Sequence, residues 1–140
     1  MKAVVIYWSE TGNTENMANG IADGIRGTGS VADLYRVGEI PVTQAVQYDK
    51  VAFGCPAMGN ESLEKREFET FFRAMETVLA GKSIALFGSY GWGDGEWMRN
   101  WAERVKATGA RLFDELAINQ ESDSAYDDAF IFGKAFAVAR

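Results

Sequence analysis

Lys2-Ala3-Val4-Val5-Ile6-Tyr7-Trp8 is apolar on both of the faces that a strand presents, with Ala3, Val5 and Tyr7 on one side and Val4, Ile6 and Trp8 on the other. A strand with that pattern lies inside a sheet covered on both sides. Ser9-Glu10-Thr11-Gly12-Asn13 follows at once, and from Thr14 to Arg26 the pattern turns helical, with Met17, Ile21 and Ile25 in one stripe. A buried strand that runs straight into a helix is the start of a β-α-β unit.

The rest of the chain repeats this alternation. Val31–Val37 and Arg111–Ile118 read as strands that carry charges, Asp33 and Arg36 in the first, Asp114 and Glu115 in the second. Val51–Cys55 and Ile84–Gly88 read as uncharged buried strands. Helices are expected over Glu64–Leu79, Asp94–Lys106 and Ala125–Val138, and the connection Gly38–Lys50 shows little helical pattern. Charged strands belong at edges and uncharged ones in the middle. The expectation is therefore an α/β fold: a doubly wound, five-stranded parallel sheet in the order 2-1-3-4-5, with helices on both faces. In such a sheet the ligand sits at the switch point between strands 1 and 3.

Composition narrows the chemistry. The 140 residues fit one domain spanning 1–140, large enough for a core without disulfide or metal staples. No histidine is present, which removes Ser-His-Asp and Cys-His catalysis and the commonest transition-metal ligand, so no metal site is expected. Cys55 is the one cysteine and reads as a small buried hydrophobe. The N-terminal apolar run is too short for a signal peptide, and no stretch is long enough to span a membrane. The net charge of −6 suits solubility and a basic protein partner, and argues against nucleic acid.

Three loops carry the remaining signals. Ser9–Thr14 meets a helix N-terminus, where free N–H groups and a partial positive charge suit an anion; the plainer alternative is a helix cap made by Asn13 or Thr14. It has no lysine, so it is not a P-loop. In Pro56-Ala57-Met58-Gly59-Asn60-Glu61, Gly59 accepts the positive φ of a type II′ turn and Asn60 that of a type II turn. A flip of the peptide between them would interconvert the two; the alternative is a fixed surface turn. Gly88-Ser89-Tyr90-Gly91-Trp92-Gly93-Asp94-Gly95 leaves Tyr90 and Trp92 among four glycines, a stacking surface for a flat ligand. Trp97 and Trp101 fit the inner stripe of the next helix instead.

Tyr7–Glu15, Gly54–Glu61 and Ala85–Gly95 closely resemble the corresponding stretches of the flavodoxins, especially the short-chain type of anaerobic bacteria. The resemblance runs end to end, and the chain lacks the insertion that splits strand 5 in long-chain members. It implies a low-potential one-electron carrier, not an enzyme, with non-covalently bound FMN. The expected FMN site is Ser9, Glu10, Thr11, Gly12, Asn13 and Thr14; Pro56, Ala57, Met58, Gly59, Asn60 and Glu61; and Ser89, Tyr90, Gly91, Trp92 and Gly93. By resemblance, Ser9, Thr11, Asn13 and Thr14 hold the phosphate, Met58 and Trp92 flank the isoalloxazine, and Glu61 bonds its N3 edge. The Gly59 carbonyl would accept from flavin N5–H in the semiquinone, and Ser89 and Asn119-Gln120 would approach the phosphate or ribityl chain. Glu10 stands where close relatives often have glycine and is expected to face solvent. Asn60 stands where they often have Asp, Gly or Ser.

Expected partners are reductases and ferredoxin-dependent enzymes with basic docking surfaces, met by a cytoplasmic monomer. A small FMN-dependent quinone or NAD(P)H reductase is the alternative, but no segment is spare to build a substrate pocket over the flavin. A response-regulator receiver would need clustered acids after strands 1 and 3. A low-molecular-weight phosphatase would need a cysteine after strand 1. Neither pattern is present.

Overall fold

A computed structural model describes residues 2–139; Met1 and Arg140, the two ends of the expected 1–140 domain, lie outside it. The elements run β1 (Lys2–Tyr7), α1 (Asn13–Arg26), β2 (Val31–Arg36), α2 (Val42–Ala45), β3 (Lys50–Gly54), α3 (Phe68–Glu76), β4 (Ser83–Tyr90), α4 (Glu96–Ala107), β5 (Arg111–Asn119) and α5 (Ala125–Val138). All neighbouring strands are parallel, in the order β2-β1-β3-β4-β5. The charged strands are the edges, as expected.

The period-2 alternation of the central strands builds two cores. Val4, Ile6, Val51, Phe53, Ile84 and Leu86 face α3 and α4, where Phe68, Phe72, Met75, Trp97, Trp101 and Val105 are buried. Val5, Tyr7, Ala52, Ala85 and Phe87 face α1 and α5, which contribute Met17, Ile21, Ile25, Ala129 and Phe136. Helices α1 and α5 touch backbone to backbone. A Cβ on Gly24 would collide with the Phe130 carbonyl, and one on Gly133 with the Ile21 carbonyl.

Two segments depart from expectation. Helix α3 begins at Phe68 rather than Glu64, because the Glu64 carboxylate turns back to accept from the N–H groups of Arg66, Glu67 and Phe68 at 2.8–2.9 Å. Those are donors that a helix start leaves free. The connection 38–50 contains the short helix α2, started by Pro41. At the other end of the sheet Lys50, 4 % exposed, donates to the carbonyls of Phe136, Ala137 and Ala139. It closes the C-terminus of α5, where the helix dipole favours a cation.

Candidate functional site

The C-terminal ends of β1, β3 and β4 open into one cleft lined by Trp8, Ser9, Glu10, Thr11, Thr14, Pro56, Ala57, Met58, Gly59, Ser89, Tyr90, Gly91 and Gln120. Its position is that of the topological switch point.

The loop after β1 is a ring of donors. Gly12 stands at the N-cap of α1 with φ 96, a left-handed conformation that glycine adopts without steric cost. Neither Asn13 nor Thr14 caps the helix. The capping acceptor is Ser9 Oγ, which takes the N–H groups of Gly12 at 3.2 Å and Glu15 at 3.3 Å. Among the described residues, the N–H groups of Glu10, Thr11, Asn13 and Thr14 have no protein acceptor. Thr14 Oγ1 lies 2.9 Å from Ser89 Oγ, both buried, which ties the start of α1 to the end of β4. Asn13 Nδ2 donates to Thr11 Oγ1 at 3.1 Å, and Glu10 is exposed at the lip.

The second loop differs from the expected turn. Neither Gly59 nor Asn60 has positive φ; the left-handed residue is Glu61, φ 53. Glu61 N–H donates to the Met58 carbonyl at 2.8 Å, and Met58 N–H to the Ser62 carbonyl at 2.9 Å. This is the three-residue loop in which a type I turn is followed by one left-handed residue. That last position favours glycine, so Glu61 is held there by its side chain. Glu61 Oε1 accepts from the N–H of Glu96, the first residue of α4, at 3.2 Å. It therefore caps α4 from a different loop, since the N-cap residue Gly95 has no side chain to do so.

The third loop is tied to the second. Ala57 N–H donates to the Ser89 carbonyl at 3.0 Å, and the buried Trp97 indole donates to the Cys55 carbonyl at 3.2 Å. Tyr90 leans on Trp97, ring centroids 5.7 Å apart, so only part of it faces the cleft. Trp92 is 60 % exposed, the one tryptophan left uncovered. Glu61, Asp94 and Glu96 bring carboxylate oxygens within 4.8 Å of one another beside it.

The cleft thus gathers most of the expected residues. Gly12, Asn13, Asn60, Glu61, Trp92 and Gly93 stand around it without lining it. Trp8 lines it unannounced, because its place in an apolar run marked it as core. Its indole donates to Glu67 at 3.1 Å. Burial pushes the Cys55 thiol far up, which makes it inert, and its sulfur accepts from the Glu64 N–H.

Residues 5–133 match the flavodoxin family model. The chain is 43 % identical over 134 residues to a flavodoxin of Clostridium beijerinckii, covering 95 % of this chain and 97 % of that one. It is 42 % identical over 121 residues to a flavodoxin of Megasphaera elsdenii, covering 86 % and 88 %. The solution structure of the two-electron reduced Megasphaera elsdenii protein superposes with a TM-score of 0.90 over 98 % of this chain and 99 % of that one. No helix among the described residues is long and apolar enough to cross a membrane. The chain belongs to the flavodoxin family, the electron carriers that work with FMN.

Proposed function

We propose that the cleft between β1 and β3 holds FMN with its phosphate on residues 9–14 and its ring at the mouth. The observation that carries this is the set of unpartnered N–H groups at Glu10, Thr11, Asn13 and Thr14, gathered where α1 presents its positive end. Four neutral donors there suit an anion that brings its own double charge. The hydroxyls of Thr11 and Thr14 add to them. The cleft, about 180 Å³, is small for a whole cofactor and suits the phosphate and ribityl chain, with the flat ring at its mouth.

Bound flavin supplies reversible uptake of single electrons. The chain's own part is to orient the ring, keep water from its faces and set the charge around it. Met58, half-buried on the turn, and exposed Trp92 are the apolar side chains that cover the ring. Glu61, Asn60, Gly91 and Gly93 border it, and Gln120 meets the polar chain from the β5 side. The exposed carboxylates of Glu10, Asp94 and Glu96 favour partners with basic docking surfaces. An unpaired, buried Cys55 suits a reducing cytoplasm, and we assign the working form as a monomer.

The test of the phosphate loop is ligand choice. Thr14→Ala and Asn13→Ala are expected to weaken FMN more than riboflavin, which lacks the phosphate. Equal losses for both ligands would refute this assignment. Direct mixing with NAD(P)H is expected to leave the flavin oxidised unless a reductase is added.

A further inference from the structure

We propose that Arg36, on β2, is a positioning residue for the phosphate loop: it turns the Ser9–Glu10 peptide so that its N–H faces the cleft, and it backs the loop with a positive charge. The inference rests on the reading above that residues 9–14 receive the phosphate.

Arg36 Nη2 donates to the Ser9 carbonyl at 2.9 Å. A trans peptide is planar, with its C=O and N–H pointing in opposite directions. Fixing the Ser9 carbonyl therefore fixes the direction of the Glu10 N–H. The strand order says which direction that is. β2 lies on one side of β1 and β3 on the other, and the cleft opens toward the loop after β3. A carbonyl drawn toward β2 sends its N–H toward β3 and the cleft. Donation from a cation to the carbonyl also polarises the peptide and strengthens its N–H as a donor.

Arg36 is itself held. It pairs with Tyr7 across the β1–β2 ladder, and its guanidinium carbon lies 5.5 Å from the Tyr7 ring centroid. Tyr7 in turn donates to Glu15 in the first turn of α1 at 2.9 Å. The Arg36 backbone N–H donates to Glu39 Oε1 at 2.6 Å. Arg36, Tyr7 and Glu15 thus brace the loop along its outer side. Among the described residues, no carboxylate pairs with the guanidinium, so its charge is not neutralised by a direct partner. The loop itself carries Glu10 and no lysine or arginine. A carboxylate beside an expected phosphate is tolerable when a cation from the neighbouring strand backs the same loop.

The experiment compares dissociation constants for FMN and riboflavin in the flavin-stripped full chain. Wild type, Arg36→Met, Arg36→Lys and Thr14→Ala are titrated at low and high salt. Arg36→Met is expected to weaken FMN about tenfold, the loss of one charge-assisted hydrogen bond, and riboflavin less than about twofold. Arg36→Lys recovers most of that loss, since it keeps the charge and a donor. Salt weakens FMN binding more in wild type than in Arg36→Met. Equal losses for both ligands in Arg36→Met, or no FMN loss while Thr14→Ala remains FMN-selective, would overturn the role of Arg36 alone. A Thr14→Ala loss that does not discriminate overturns the phosphate loop and the Arg36 role together.

Discussion

Glu61 and Gly93 share one space: the Glu61 carboxylate fills the volume that a side chain at 93 would need, and both residues stand in left-handed backbone, φ 53 and 87. The turn after β3 and the loop after β4 are therefore one unit, locked by a strained glutamate against a glycine. Gly93→Ala meets both obstacles, a positive φ worth roughly 1–2 kcal/mol and a carboxylate in its way. Urea unfolding is expected to show a loss of at least that size, together with weaker FMN binding. Glu61→Gly is the converse. It relieves the backbone and removes the cap on α4, so stability stays within about 1 kcal/mol while FMN affinity falls.

Gly59 sits differently. No atom lies within 4 Å of where its Cβ would stand, and its φ is not positive. Gly59→Ala is expected to leave unfolding of the flavin-free chain within about 0.5 kcal/mol of wild type. It would penalise, by roughly 1 kcal/mol, any conformation that needs positive φ there. If the Gly59–Asn60 peptide turns on reduction, the two one-electron potentials draw together in Gly59→Ala, and further in Gly59→Thr. A potentiometric titration showing unchanged separation would mean that the turn keeps one conformation.

Charge near the ring sets the second electron's potential. A carboxylate at ~8 Å and an effective dielectric of ~20 disfavours an added negative charge by roughly 2 kcal/mol, about 90 mV. Asp94 pairs with Arg99 at 3.0 Å, while Glu96 has no such partner among the described residues. Glu96→Gln is therefore expected to raise the lower potential more than Asp94→Asn. Both effects fall short of that figure, because the groups are exposed, and both shrink in high salt.

Acid should loosen α3 first. Burial raises the Glu64 carboxyl, but the backbone donors of Phe68, Arg66 and Glu67 outweigh it and leave it below the ordinary range. Glu69 is also held low, first by its hydrogen bond from Arg104. A depressed carboxyl contributes stability that is whole above its unfolded value, ~4.3, and lost as pH falls through the folded one. Glu115, raised by burial and then by Asp114, has the opposite sense and flattens the decline. Glu64→Ala is expected to lower unfolding free energy by about 1–2 kcal/mol at pH 7 and to make the acid limb shallower, as followed by circular dichroism.

The apolar runs of β1, β3 and β4 and the charges on β2 and β5 made the strand order legible, because burial on two faces leaves a direct trace in sequence. The three loops were legible as a site because the order places them at one end of the sheet. Contacts between residues far apart left no such trace. The Glu61 cap on α4 and the Lys50 cap on α5 come from distant parts of the chain. Local capping patterns cannot reveal them. The turn is centred on Gly59-Asn60 as expected, but its type differs from expectation for the same reason. Its left-handed residue is Glu61, stabilised by partners more than thirty positions away.

The backbone contact of α1 with α5 bears on how the protein is made. Residues 9–14 are synthesised more than a hundred positions ahead of α5, yet the helix that follows them is seated against Gly133 and Phe130. Until residues 125–138 emerge, α1 has the sheet beneath it but lacks the helix that packs against its side. Firm cofactor capture is expected to await the docking of α5.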